Sequence, residues 1–274
     1  DLPILFLSKT NTRIIVHVHG SDFPDLFRNK FLKGISSESY KNCEIILPSM
    51  HLKNDLKNIK FKKIYICENF IGREIQEFSV SDNVIEKRNN HKFKILWNSN
   101  ILSSKGFFET YEAIKILYEK KFNIEFIVLG KLIKDKEMKL KELRSKYSKL
   151  DKPSWFIEIN QIDRENYKKI ILDSNLVILP STYKSECQPL SIIEGMIFQK
   201  HIIINDTLPL KTTVGKYPAE ITKRDKISIA KSIVKCIEND LESIQNRKLG
   251  AEEAIKRFSY NKFYTNILSI LKID

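Results

Sequence analysis

The chain has 274 residues, 42% hydrophobic and 30% charged, enough for one large or two ordinary domains with real cores. No window approaches the ~20 apolar residues of a membrane span, and the opening DLPILFLSKTNTRIIVHVHG lacks the basic start, apolar middle and small-residue cleavage site of a secretory signal. Lys plus Arg at 47 against Asp plus Glu at 34 gives +13, but the surplus is scattered lysine with no Arg-rich arm, which disfavours nucleic acid and favours phosphorylated ligands or an anionic membrane surface.

Before residue 72 there are about four short apolar runs, RIIVHVHG, EIILP and KIYIC among them, fewer than a complete doubly wound half holds. The first ends in His19 and Gly20. A lone strand-end histidine is usually a hydrogen-bonded structural residue; opposite a phosphate site it becomes a candidate for chemistry. His17 shares its side only while the strand persists. Residues 72–91, GREIQEFSVSDNVIEKRNNH, are polar and mixed in charge, and read as a junction.

KFKILWN follows, a strand ending at Trp97 or Asn98, then a Ser/Asn-rich loop with Lys105 and Gly106 at the mouth of the helix FFETYEAIKILYEK. In that helix Phe107, Tyr111, Ile114 and Tyr118 recur on one face, behind Ser103 and Ser104 as expected N-caps. A lysine beside free helix-start N–H groups suits a diphosphate, although a Lys-Gly at a helix start is weak evidence alone. IEFIVLG, the charged amphipathic helix DKEMKLKELRSKYSKLDK, SWFIEI, NLVILP, HIIIN and the helix ISIAKSIVKCIEND complete the alternation. Strands apolar on both faces, alternating with helices, predict parallel α/β units.

The richest stretch is PSTYKSECQPLSIIEGM, residues 180–196. Glu186 falls in a turn, Pro189 at a helix start, and Leu190, Ile193 and Ile197 on an expected core face. Glu194 lies beside that face, toward the C-terminal edge of the sheet, where open α/β sheets bind ligands. A buried carboxylate there can accept two hydrogen bonds from vicinal hydroxyls of a ribose or a sugar ring. The alternative is a loop charge and a helix charge with no ligand, and spacing does not decide between them. Gly195 weighs toward a site, because a mid-helix glycine costs ~1 kcal/mol against Ala and signals a close approach. Cys43, Cys67, Cys187 and Cys236 show no C-x-x-C spacing, so neither a metal cluster nor a disulfide framework is expected, and a reducing cytoplasm fits.

In this order the pieces resemble the retaining glycosyltransferases of family 4, with their two-domain GT-B architecture. The resemblance rests on an acid pair, Glu186 and Glu194, after the strand end LPS; on Lys105 and Gly106 in ILWNSNILSSKG; on VHVHGSDF at a strand end; on KIYICENFI leading into a linker; and on the closing RFSYNKFYTNILSIL. It implies an α/β fold of two Rossmann-like doubly wound domains: a partial N-terminal, acceptor-side domain at 1–72, a linker at 73–91, a nucleotide-sugar-binding domain at 92–255, and a helix at 256–274 crossing back to the N-domain. The family's first strand and Gly-rich turn have no counterpart ahead of Asp1, so the N-terminal domain is expected to be incomplete.

By the same resemblance Glu194 binds ribose hydroxyls, and Glu186, with the backbone of Cys187, Gln188, Pro189 and Leu190, binds the donor sugar. Lys105, with Gly106 and Asn100, meets the diphosphate, Asn160 and Gln161 touch the base, and His19 faces the transferred sugar. No metal or other cofactor is expected; the donor is a UDP- or GDP-sugar, and the acceptor a lipid-linked or surface-polysaccharide hydroxyl. The resemblance places the enzyme in the cytoplasm, at the inner face of the cell membrane. Three departures stand out: Asn100 where the family has arginine, Cys187 where it has glycine, and Gln199–His201 in place of G-x-P. Two other readings stay open, a non-catalytic nucleotide-sugar-binding remnant and a GT-B sugar-nucleotide epimerase.

Overall fold

The structure, a computed structural model, describes Ile4 and residues 12–29, 33–75 and 92–272; of the polar junction expected at 72–91, only 72–75 fall among them. In chain order come β1 (Ile15–His17), α1 (Asp25–Arg28), α2 (Lys33–Tyr40), β2 (Glu44–Leu47), α3 (Met50–Asp55), β3 (Lys63–Ile66) and β4 (Phe93–Asn98). A single 3-10 turn, Ser103–Lys105, precedes α4 (Phe107–Glu119), β5 (Ile124–Leu129), α5 (Leu140–Ser148), β6 (Phe156–Ile159), α6 (Arg164–Asp173), β7 (Leu176–Leu179) and α7 (Leu190–Ile197). The chain closes with β8 (His201–Asn205), α8 (Leu208–Val214), β9 (Ala219–Thr222), α9 (Lys226–Glu238), α10 (Ile244–Arg257) and α11 (Tyr260–Leu271). Among the described residues no helix is long and apolar enough to cross a membrane.

Two compact units result, one of Asp1–Phe70, Lys184–Gln188 and Phe258–Asp274, the other of Ile71–Tyr183 and Pro189–Arg257. The span 92–255 is therefore interrupted, because Lys184–Gln188 packs with the first unit.

Among the described residues the second unit holds six strands, all parallel, in the order β6-β5-β4-β7-β8-β9. At its centre Leu96 of β4 pairs with Ile127 of β5 and Val177 of β7. Every residue of β7 and β8 is buried, as strands covered on both faces require. The edge strand β9, Ala-Glu-Ile-Thr, is half polar and only partly buried, so it offers no apolar run and escapes a sequence reading. Ile192, Ile193, Met196 and Ile197 bury α7 against this sheet, but Leu190, expected on the same face, is 49% exposed at the helix's open start.

Two further expectations for α4 are corrected. Neither Ser103 nor Ser104 caps the helix: the cap is Gly106, left-handed at φ 80°, while the Ser104 N–H and hydroxyl both donate to Asp135 Oδ2, at 2.8 and 2.6 Å. Phe107, Tyr111 and Ile114 are buried, but Tyr118 is 43% exposed and Leu117 continues the buried stripe in its place.

In the first unit β1, β2 and β3 form a parallel sheet in that order, with all of β2 buried at the centre. One cluster gathers Val18, Phe27, Tyr40, Ile45, Leu47 and Leu52; the other gathers Ile46, Cys67 and Ile270 with Phe263 and Ile267 packed against them. Phe263, Ile267 and Ile270 recur at steps of four and three, which gives α11 an apolar stripe for this sheet. Ser259 caps α11 by accepting from the Lys262 N–H at 3.2 Å.

Candidate functional site

In the second unit the chain runs from β4 outward to β5 and β6, then returns beside β4 at β7 and runs outward the other way. The loops after β4 and β7 therefore diverge at the carboxyl edge, and such a reversal opens a crevice where doubly wound sheets bind ligands. Both loops carry the residues singled out by sequence.

After β4, Ser99 and Asn100 turn away, and the 3-10 turn brings Lys105 back so that its Nζ donates to Ser99 Oγ at 2.8 Å, with the Tyr183 ring 5.7 Å off. Gly106 must be glycine for two reasons: its φ is 80°, and a Cβ would stand 3.0 Å from the Pro180 carbonyl oxygen and 2.9 Å from its ring. The two loops are joined directly, since the Thr182 N–H donates to the Ser104 carbonyl at 2.8 Å. Arg224, just past β9, donates to Thr182 Oγ1 at 2.6 Å and to both carboxylate oxygens of Glu137 at 3.2 Å. A second cation thus stands at this edge, on an element that sequence did not reveal.

After β7, α7 carries Glu194 back over the sheet. Its Oε2 accepts from the Tyr167 hydroxyl and, at 3.3 Å, from Asn98 Nδ2, which also donates to Tyr167 Oη at 2.7 Å. Burial pushes the Glu194 carboxyl above its ordinary range, while the Tyr167 bond and the Arg164 charge pull it back. The Tyr167 hydroxyl is pushed far up by burial and by Glu194. Asn98, Asn100, Gly130, Asn160 and Tyr167 line a cavity of about 320 Å³. Gln161, Asp163 and Asn166 line a second one of about 520 Å³, and both share Ile159 and Ile162. Asn100 Oδ1 accepts from the Lys131 N–H at 3.4 Å, so it tethers the loop after β5.

Gly195, one residue on, has another explanation from the one its position suggests. A Cβ there would meet Ile202 Cδ1 at 2.7 Å and Val177 Cγ2 at 3.0 Å, so the glycine lets α7 lie close on β7 and β8. Its signal was for the sheet, not for a ligand.

Glu186, Cys187, Gln188 and His19 belong to the first unit. There the parallel sheet collects His17 at the end of β1 and His19 after it, Ser49 and His51 after β2, and Glu68 and Asn69 after β3 at one edge. The strand β1 ends at His17, yet the His17 and His19 rings remain 4.2 Å apart between centroids. Burial, and then the charge of His19, lower the His17 pKa, which keeps its imidazole neutral near pH 7. The segment Lys184–Gln188 is held to this edge by the Ser21 hydroxyl, which lies 2.5 Å from the carbonyl oxygens of Lys184 and Glu186 and shares its proton between them. Asn69 adds its N–H to Gln188 Oε1 at 2.6 Å and its amide to the Gln188 carbonyl at 2.8 Å, and Gln188 Nε2 donates to Glu68 at 2.9 Å. Glu186 is buried in this segment. Cys187 sits in the core with Val18, Phe27 and Tyr40, and burial with the Glu186 charge pushes its thiol up to about 12, so it is an apolar anchor and not a nucleophile.

The second unit thus gathers Asn100, Lys105, Gly106, Asn160, Gln161, Pro189, Leu190 and Glu194. Pro189 is the extended cap residue of α7 and Leu190 its first helical residue. Sequence reasoning missed Asn98, Tyr167 and Arg224 here, and Ser21 and Asn69 in the first unit. The strand-end position of Asn98 was a usable signal; Tyr167 and Arg224 come from distant elements and gave none.

Residues 81–257 match the family model described as glycosyl transferases group 1. The curated proteins offer no sequence match. Among solved structures, sucrose-phosphate synthase from Thermosynechococcus elongatus is 13% identical over 97% of this chain and 69% of its own, with a TM-score of 0.71. Anabaena HepE in complex with UDP and glucose is 14% identical over 96% of this chain and 72% of its own, at 0.72. A glycosyltransferase from Rickettsia africae is 18% identical over 98% and 73%, at 0.67. At these identities the likeness is one of fold.

Proposed function

The chain belongs to the glycosyl transferases group 1, and from that premise we propose that it moves a sugar, with retention at the anomeric carbon, from a nucleotide-diphosphate sugar to a hydroxyl of a lipid-linked or surface-polysaccharide acceptor. The observation that carries this reading is the Glu194 carboxylate at the reversal point of the second sheet, beside a cavity into which Asn98, Asn100 and Asn160 bring polar groups, and one strand away from the Lys105 loop.

In this reading Glu194 accepts from the ribose, and Lys105, with the N–H groups opening α4, stabilises the diphosphate as charge develops on it. Asn160 and Gln161 border the base. Glu186 and His19 address the transferred sugar. The bond from the anomeric carbon to the diphosphate oxygen breaks, the acceptor oxygen bonds to that carbon on the same face, and the acceptor proton passes to the leaving phosphate. UDP is the nucleotide we favour over GDP, supported by HepE in complex with UDP. The excess of 13 positive charges supports work at an anionic surface, the cytoplasmic face of a membrane, where lipid-linked acceptors reside.

The test is calorimetric titration of UDP- and GDP-sugars into the wild type, Glu194→Ala and Lys105→Ala, paired with transfer assays. We expect each substitution to weaken donor binding at least ~10-fold, the worth of one charge-assisted hydrogen bond. Unchanged affinity in both would overturn the assignment. Tight binding with no transfer to any acceptor would mark a donor-binding module instead.

A further inference from the structure

Lys105 carries its charge on a flexible four-carbon stem, so the place of that charge depends first on the turn that bears it. The turn Ser103–Lys105 has no side-chain cap, yet its middle residue, Ser104, is buried and tied on two sides. Its N–H and hydroxyl donate to Asp135 Oδ2 at 2.8 and 2.6 Å. Its carbonyl accepts from the Thr182 N–H at 2.8 Å and from the Thr182 hydroxyl at 3.1 Å. Arg224 joins the two sides. Its Nη1 donates to Thr182 Oγ1 at 2.6 Å and to both oxygens of Glu137 at 3.2 Å, with the Ser103 carbonyl 3.5 Å away. The Glu137 N–H in turn donates to Asp135 Oδ1 at 2.9 Å. The path from Arg224 through Thr182, Ser104, Asp135 and Glu137 back to Arg224 is therefore a closed circuit of hydrogen bonds. It draws on the loops after β4, β5, β7 and β9, all within the second unit, and Ser104, next to Lys105, lies on it. The Arg224 stem also packs on Gly106, with Cγ 3.1 Å from where a Cβ would stand.

From this geometry we propose that Arg224 is a positioning residue for the donor diphosphate: it closes the circuit that fixes the Lys105 turn, and it acts on the donor through Lys105. The proposal rests on the diphosphate-binding role given to Lys105 above. Two features favour positioning over direct contact. The guanidinium is committed to Thr182 and Glu137, and a second carboxylate, Glu109 in the first turn of α4, lies 3.7 Å from Nε, so its charge is matched before any anion arrives. Its bonds also run toward the turn: the Thr182 hydroxyl that accepts from Arg224 has one proton, and that proton goes to the Ser104 carbonyl. With the guanidinium gone, Thr182 loses its donor and Glu137 its anchor, and the turn keeps only the links of Ser104 itself. A charged group displaced by as little as ~1 Å can lose up to ~100-fold in rate, so a turn that bears a phosphate-binding lysine gains from such a tie.

The experiment titrates UDP and GDP into the full chain and into variants that open the circuit, each with and without Lys105→Ala. Arg224→Met combined with Glu137→Gln keeps the stem on Gly106, removes the link and leaves the net charge unchanged. Thr182→Val opens the circuit at another point with no change of charge or shape, and serves alone if thermal unfolding shows the paired variant to be unfolded. Each should weaken binding of the tighter nucleotide by about fivefold or more in the wild-type background and by less than about twofold once Lys105 is alanine, because residues acting through one group are not additive. Thr182→Ser, which restores the hydroxyl, should recover the wild-type affinity to within about twofold. Circuit variants that bind like the wild type would overturn the proposal. So would losses that multiply with that of Lys105→Ala, since they would mean a direct contact or a route around Lys105. In both cases a weakened Lys105→Ala leaves the functional reading standing. If Lys105→Ala binds both nucleotides as tightly as the wild type, or the wild type binds neither, the role of Lys105 in that reading falls together with this proposal.

Discussion

At Gly195 a methyl group would lie 2.7 Å from Ile202 Cδ1 and 3.0 and 3.1 Å from Val177 Cγ2 and Cβ. The isoleucine tip can swing aside; the valine, branched at Cβ and set in a central strand, is stiff. Alanine gains ~1 kcal/mol of helix propensity, but forced packing of this kind costs ~1–3 kcal/mol. Gly195→Ala should therefore lower stability by about 1 kcal/mol, read as a lower urea midpoint with an unchanged slope; a variant as stable as the wild type would mean that the sheet yields. Gly106→Ala should cost more, about 2–3 kcal/mol, because a left-handed φ of 80° and a backbone carbonyl at 3.0 Å both resist the methyl and neither can move cheaply. These positions show how far single residues were legible. Glu194 announces itself as an acid inside an apolar helix at a sheet edge. Its partner Tyr167 stands 27 positions away on another helix, so the pairing exists only in the fold.

Among the elements, the segment Lys184–Gln188 is the least predictable, because it leaves the end of a buried strand yet is fastened by Ser21, Glu68 and Asn69 of the first unit. Periodicity has nothing to say about such a segment, whose neighbours are more than 100 positions away. The strands divide by the same logic. β7 and β8 are legible since burial on both faces demands continuous apolar runs, whereas β9 at the edge tolerates Glu220 and Thr222 and hides in the sequence, taking Arg224 with it. If the proposed role of Glu186 is right, its position depends on this clamp. Asn69→Ala removes the 2.8 Å bond to the Gln188 carbonyl and should lower kcat by about tenfold while the donor dissociation constant changes less than about threefold, as expected for loss of one positioning hydrogen bond. A matched loss in donor affinity would show that the segment binds the donor and does not merely orient it.

On the scale of the whole chain, Arg13 and the last turn of α11 meet across more than 250 positions. The Arg13 guanidinium donates to Glu44 at 3.0 and 2.9 Å and to the carbonyls of Ile270 and Leu271, so one cation joins the central strand β2 to the carboxyl end of the closing helix. Tyr65 donates to the same carboxylate at 2.8 Å, and Lys62 stands 3.9 Å away. The Arg13 bond, helped by Tyr65 and Lys62 and opposed by burial, lowers the Glu44 pKa from 4.5 to about 2. A carboxyl depressed in the fold takes up protons more readily when unfolded, so its contribution is fully present above the unfolded value near 4.5 and is lost as pH falls toward 2. Discounted because Arg13 is partly open to solvent, that contribution is about 1–2 kcal/mol. Urea denaturation of the wild type and Glu44→Gln at pH 7, 4.5 and 3 checks it, followed by circular dichroism because both tryptophans, Trp97 and Trp155, lie in the second unit. The wild type should be the more stable at pH 7 and should lose more than half of that advantage by pH 3, the remainder going only as pH falls to about 2. Parallel decline of the two proteins over that interval would mean that the tie between the chain's ends carries no stability of its own.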